Sequence, residues 1–160
     1  MNESVKIVFE ELQDLKTRIA DNIKSEKRNA SGQTIASMHV DVNDSNVVLF
    51  GRKAFGTLET GRRPGNVPKG FYGIIKQWAI DKGLSFKSDR ERNTFAYFVS
   101  RKIAAEGTSL YRAGGDANIY SKEIPTTLLN IRERLGLLVR TEVVNSIKLN
   151  SNGYSLGSKR

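Results

Sequence analysis

From Glu3 to about Lys27, the apolar residues Val5, Val8, Leu12, Leu15, Ile19 and Ile23 recur three or four positions apart with charge between them. That is the period of one helical face, so 3–27 is predicted to be an amphipathic helix. The polar, glycine-containing run Arg28 to Gln33 ends it. From Thr34 to Val42 the period becomes two: Ala36, Met38, Val40 and Val42 alternate with Ser37, His39 and Asp41, as in a half-buried strand. Asn43-Asp44-Ser45-Asn46 supplies turn chemistry and Val47 to Phe50 a second strand, which predicts a hairpin. After Gly51, residues 54–58 read as a third strand, so that strands occupy 34–58.

The next stretch, 59–70, has the sequence ETGRRPGNVPKG and no apolar period. It holds two of the chain's three prolines, and its glycines disfavour helix and central strand, so it is predicted to be an extended arm loop. Phe71, Ile74, Ile75, Trp78 and Ala79 then restore the helical period over 71–82, with Gly83 as the stop. Ser88 followed by Glu91 is a capping-box signature in front of Phe95, Phe98, Val99 and Ile103, which predicts a helix over 89–106 ended by Gly107. On these two helices Trp78, Phe95 and Phe98 are expected in the core, whereas Tyr72 and Tyr111, in or beside loops, are expected as contact residues. Residues 108–123 form a second long loop with room for a short strand near 119–122. Pro125 suits a first helical turn, and Leu128, Ile131, Leu135, Leu138, Val139, Val143 and Ile147 predict a last helix over 125–149, with Gly136 as a point where it can bend. The polar end 151–160 is expected to be flexible. The fold class is therefore α+β: one domain over 1–150, with a small antiparallel sheet packed by three to four helices, long terminal helices and two long loops.

Composition narrows the chemistry. The chain has no cysteine and a single histidine, His39, which excludes disulfides and thiolate chemistry and leaves no donor cluster for zinc. Gly61, Gly65 and Gly70 precede a helix, yet their spacing fits neither phosphate-binding glycine motif. The carboxylates are scattered, and no nucleophile elbow is present. No catalytic residue, metal or cofactor is expected, and the chain is not expected to be an enzyme. No apolar run is long enough for a bilayer, and the N-terminus alternates charge with apolar residues unlike a secretory signal, so no membrane partner is expected.

Charge then changes the picture. The net charge is +9, and residues 61–102 hold ten cations against three acids. Such a field favours nucleic acid or an acidic protein surface.

The order of motifs carries a resemblance. Glu59, Gly61, Arg63 and Pro64 form an E-x-G-x-R-P loop; Ile75, Trp78, Ala79, Lys82 and Gly83 follow on one helix; Ala96, Arg101, Lys102, Ile103, Ala104, Gly107 and Thr108 on the next. Over about residues 34–149 this combination resembles the head-to-tail joining or tail-completion (neck) proteins of tailed bacteriophages. The resemblance implies a virion structural protein of the neck or head-proximal tail, located in the virion and, during assembly, in the host cytoplasm. It implies a homo-oligomeric ring whose partners are portal, adaptor or tail proteins, with non-specific contact to packaged DNA. One segment departs from the pattern: many members have a short aromatic-proline stretch before the last helix, where this chain has Leu110 to Gly115 and Glu123-Ile124-Pro125. On this reading Glu59, Arg62, Arg63, Pro64 and Lys69 form a protein-interface loop; Arg90, Arg92, Arg101 and Lys102 face DNA or an acidic partner; and Tyr111 and Arg112 form a second contact loop. The competing expectation is a stand-alone basic nucleic-acid-binding module that uses Arg62, Arg63, Arg90, Arg92, Arg101 and Lys102 on phosphates.

Overall fold

The computed structural model describes residues 2–43, 46–52 and 55–154, the side chains of 150–154 excepted. Its elements are, in order, α1 (Glu3–Ser25), α2 (Gln33–Ala36), β1 (His39–Val42), β2 (Val47–Phe50), α3 (Gly56–Thr60), α4 (Phe71–Asp81), α5 (Asp89–Glu106), α6 (Ser109–Arg112) and α7 (Glu123–Tyr154). The fold is α+β, mostly helical, with one two-stranded antiparallel sheet among the described residues.

Helix α1 starts where the Asn2 side chain accepts from Ser4 N at 3.0 Å. It buries Ile7, Glu11, Leu15, Ile19 and Ile23, a stripe repeating every fourth residue. Val5, Val8 and Leu12, expected on that face, are only half-buried, because the stripe is completed by Ile7 and by a carboxylate. Glu11 is tolerated there because Arg134 Nη1 donates to it at 3.0 Å and Asn130 Nδ2 at 3.3 Å, so the buried charge is paired. Leu15, Ile19 and Ile23 join Met38, Ala117 and Ile119 in the core, with Ile35, Leu49, Phe55, Leu58 and Tyr120 packed around them.

The hairpin is in register His39 with Phe50 and Val40 with Leu49. His39 stacks on Phe50 at 5.4 Å between ring centroids, so the lone histidine is a cross-strand surface partner. The strand expected from Thr34 is shorter. Gln33–Ala36 is a helical turn that sends Ile35 and then Met38 inward, three residues apart, and β1 begins only at His39. The third strand expected at 54–58 is also replaced: Ala54 lies outside the described residues, and Gly56–Thr60 is helical. Phe55, Leu58 and Glu59 stand at i, i+3 and i+4, which puts all three on one helical face toward the core.

Helices α4 and α5 pack on each other through Ile75, Ala79, Ala96 and Ser100, closed at one end by Phe86 against Phe95 at 5.3 Å. Ser88 caps α5 by accepting from Glu91 N at 3.2 Å, and Glu91 reaches back to Lys87 N at 2.6 Å. Two side chains expected in this core are outside it: Trp78 is 39% exposed and Phe98 is 64% exposed. Phe95 is half-buried. The second long loop, expected to be irregular, includes α6, which Thr108 initiates as N-cap; 119–122 forms turns and no strand.

Helix α7 is antiparallel to α1, and polar pairs set the register. Asn22 Nδ2 donates to Glu123 Oε1 at 3.0 Å, Arg18 Nη2 to Thr127 Oγ1 at 2.7 Å, and Arg134 reaches Glu10 and Glu11. The helix continues to Tyr154, so 151–154, expected in a flexible tail, are helical; 155–160 lie outside the described residues. Extending the register, everything after Glu142 runs past the first residue of α1. Val143 and Ile147, expected on a packed face, are exposed there, and Leu128 and Val139 are exposed alongside α1.

Candidate functional site

The loop that carries most of the predicted site residues is held from inside. Glu59, on the single turn of α3, is 5% exposed. Its Oε2 accepts from Ile119 N at 2.8 Å and Tyr120 N at 3.0 Å, its Oε1 accepts from the Ser121 hydroxyl, and its own carbonyl accepts from Ala117 N at 3.1 Å. Burial pushes the carboxyl pKa up, but the bonds from Ser121, Tyr120 and Ile119 outweigh it and hold the group below its ordinary value of 4.5. Glu59 is thus an internal latch that pins the second loop onto the core, a correction to its expected place on an interface.

Gly61 and Gly107 explain why the loop follows its path. At Gly61, φ is 71°, and a Cβ there would lie 2.5 Å from Thr108 Oγ1 and from Tyr111 N. At Gly107, φ is 79°, and a Cβ would lie 2.7 Å from Arg62 O. The two glycines let the chain before Arg62 and the chain after α5 touch, and three bonds fasten them: Arg62 N to Thr108 Oγ1 at 2.9 Å, Thr108 N to Arg62 O at 2.9 Å, and Gly65 N to Ala104 O at 2.8 Å. The stretch 59–65 is therefore clamped rather than a free arm. Residues 66–70 then lead into α4.

The cations divide into two groups. Arg62 donates to Asn66 O and lies over the Phe71 ring at 5.5 Å from the centroid; Arg92 pairs with Asp89; Arg112 pairs with Glu106; Arg101 Nη1 donates to the Tyr97 hydroxyl at 3.0 Å. Arg63, Lys69, Arg90 and Lys102 are exposed and form no ion pair among the described residues. Pro64 and Tyr111 flank Gly107, and Tyr111 is exposed beside a polar concavity of about 810 Å³ that Arg62, Arg63 and Asn66 also line. The structure thus brings Arg62, Arg63, Pro64 and Tyr111 together, and places Arg90, Arg101 and Lys102 on α5.

A second groove, of about 1090 Å³, runs between the Arg28–Thr34 segment and α4, with Phe71, Ile74 and Trp78 as its apolar wall and Arg28, Arg52, Arg62 and Asp81 as its charged lining. Sequence reasoning missed this wall because it assigned Trp78 to the core. The available signal was the surplus of apolar residues: Ile74, Ile75, Trp78, Ala79 and Ile80 are more than one face of an 11-residue helix can bury.

No protein-family model, curated protein or solved structure matches this chain. The site therefore has to be read from its own geometry. Among the described residues no group of three His, Cys, Asp or Glu could hold a metal ion, and no helix is long and apolar enough to cross a membrane.

Proposed function

We propose that this chain is a virion structural protein that closes into an oligomeric ring in the phage neck or at the head-proximal end of the tail. The observation that carries the reading is that, among its exposed apolar side chains, two groups stand on different surfaces of different shape. One is a projection, the part of α7 beyond Glu142, where Val143, Val144, Ile147 and Leu149 face solvent, Leu149 at 74%. The other is a recess, the groove beside α4 walled by Phe71, Ile74 and Trp78. Unpaired apolar surface of this extent marks an interaction site, and a projection on one face with a recess on another is what a head-to-tail contact uses to close a ring. The motif order around Glu59-Thr60-Gly61-Arg62-Arg63-Pro64 supports the neck as its place, with portal, adaptor or tail proteins above and below. The unpaired Arg63, Lys69, Arg90 and Lys102 supply charge for packaged DNA or an acidic neighbour. No cofactor and no reaction belong to this role.

The test is mass measurement of the purified protein by light scattering, with negative-stain imaging of what elutes. Rings built of several copies are expected, and Ile147→Asp with Val143→Asp is expected to return the protein to a monomer that still melts cooperatively. A wild-type chain that stays monomeric at about 100 μM, the range in which transient contacts become populated, would sink the reading.

A further inference from the structure

Between the start of α4 and the outer side of α5 lies a cleft of about 330 Å³ lined by Pro68, Phe71, Tyr72, Tyr97, Ser100 and Arg101. Two of the lining rings carry an arginine: Arg101, itself in the lining, has Cζ 5.7 Å from the Tyr97 centroid, and Arg62, outside it, has Cζ 5.5 Å from that of Phe71. Tyr97 is held by the Arg101 bond to its hydroxyl and by Phe98, edge-on at 5.6 Å, yet it is 48% exposed. Tyr72 and Phe98 are exposed as well. Outside the lining but next to it in the chain, Lys69 lies between Pro68 and Gly70 and Lys102 follows Arg101 on α5, and both are exposed. No acidic residue lines the cleft.

We propose that this cleft binds a single strand of nucleic acid, with bases stacked on Tyr72 and Tyr97 and phosphates met by Lys69, Arg101 and Lys102. The cations alone would attract any polyanion. The aromatic rings decide between polyanions: a duplex keeps its base faces stacked internally, and an acidic peptide offers carboxylates without π faces, whereas an open strand presents both phosphate and base to a surface built of alternating charge and ring. An arginine already stacked on the edge of such a platform adds cation–π attraction at low ordering cost. The inference does not depend on ring closure, since every residue in the cleft belongs to one copy.

Fluorescence anisotropy tests it with a labelled oligothymidine of about 15 nucleotides, a site length typical of such surfaces. The comparison ligands are a duplex with the same number of phosphates and an abasic strand. The oligothymidine is expected to bind more tightly than either, with log K falling against log salt with a slope of about −2, as expected for three phosphates on a single strand. Tyr97→Ala is expected to weaken it roughly tenfold without changing the melting temperature, while Lys6→Gln on α1 leaves it unchanged. Equal affinity for the duplex, equal competition by polyglutamate, or no effect of Tyr97→Ala would each overturn the proposal. Because these readouts need only a folded copy, they stand or fall apart from the oligomer measurement.

Discussion

Glu59 shows how one side chain can organise a region with little regular structure. Its carboxylate occupies the position that a sheet or helix partner would otherwise fill for Ile119 N and Tyr120 N. Removing it in Glu59→Ala would leave one buried and one half-buried donor without acceptors, a loss of about 2 to 6 kcal/mol at 1 to 3 per group before local relaxation offsets part of it. Glu59→Gln keeps an acceptor for those donors and should cost much less, and chemical denaturation of the two variants would separate them. The sign of the pH dependence follows. A carboxyl with a depressed folded pKa contributes stability above its unfolded value, and that contribution is lost as pH falls through the folded value. Stability should therefore drop below about pH 4.5, with a smaller drop in Glu59→Gln. Denaturation midpoints measured at pH 3 to 6 check it, and identical profiles would show that the latch does not titrate. Trp78 makes the opposite point. A fully buried aromatic costs about 3 to 5 kcal/mol when cut to alanine, but this ring is 39% exposed, so Trp78→Ala should cost about 1 to 2 kcal/mol. Its emission maximum should also lie well to the red of a buried indole.

At the scale of elements, what was legible in the sequence was whatever repeats. The helices α1, α4 and α5 and the Ser88 cap follow from local spacing, and the structure places them within one or two residues of expectation, although the faces they bury differ from it at Val8, Trp78 and Phe98. The hairpin was equally open to reading, through alternation and turn residues. What could not be read was decided at a distance. Residues 54–58 read as a strand and 59–70 as a loop, but the helical turn at 56–60 lets Glu59 reach Ser121, 62 positions away, while Phe55 and Leu58 stay in the core. The end of α7 was missed for another reason: periodicity reports that a face is apolar and is silent on what covers it. Leu128, Val139 and Ile147 obey the helical period yet are exposed, while Thr127 is buried and Ile131, Leu135 and Leu138 of the expected stripe are half-buried, a rotation of α7 that matches the polar pairs of Asn22, Arg18 and Glu11. This makes a measurable claim about the element. A chain ended after Glu142 loses only the overhang, so its melting temperature should change by less than about 3 °C, the shift for a loss below 1 kcal/mol in a domain of this size. Its oligomeric state, by light scattering, should change completely.

At the scale of the whole molecule, the question is whether the two apolar surfaces complement each other or each pairs with itself. Symmetry gives an experiment that distinguishes the cases. If the contact is head-to-tail, a copy carrying Val143→Asp and Ile147→Asp lacks the projection but keeps the groove, and a copy carrying Ile74→Asp lacks the groove wall but keeps the projection. Each alone should be monomeric, since every contact needs one of each surface. Mixed, they can form one sound contact and no second, so the product should be a pair that cannot grow into a ring. Were each surface to bind its own kind, as in a two-fold contact, each variant would retain one intact self-pairing patch and dimerise alone, and mixing would create nothing new. Native mass spectrometry of the two variants, alone and mixed in equal amounts, reads the difference directly through a mass tag on one of them. The prediction is monomer, monomer and heterodimer. The charges give the choice a physical basis: the groove is lined by Arg28, Arg52 and Arg62 against one carboxylate, Asp81, while the overhang between Val143 and Leu149 carries Lys148 and no acidic residue, so net charge does not draw the two surfaces together and the contact rests on apolar burial. It should accordingly tighten with salt, as burial of apolar surface does, whereas binding through the α5 cations should weaken.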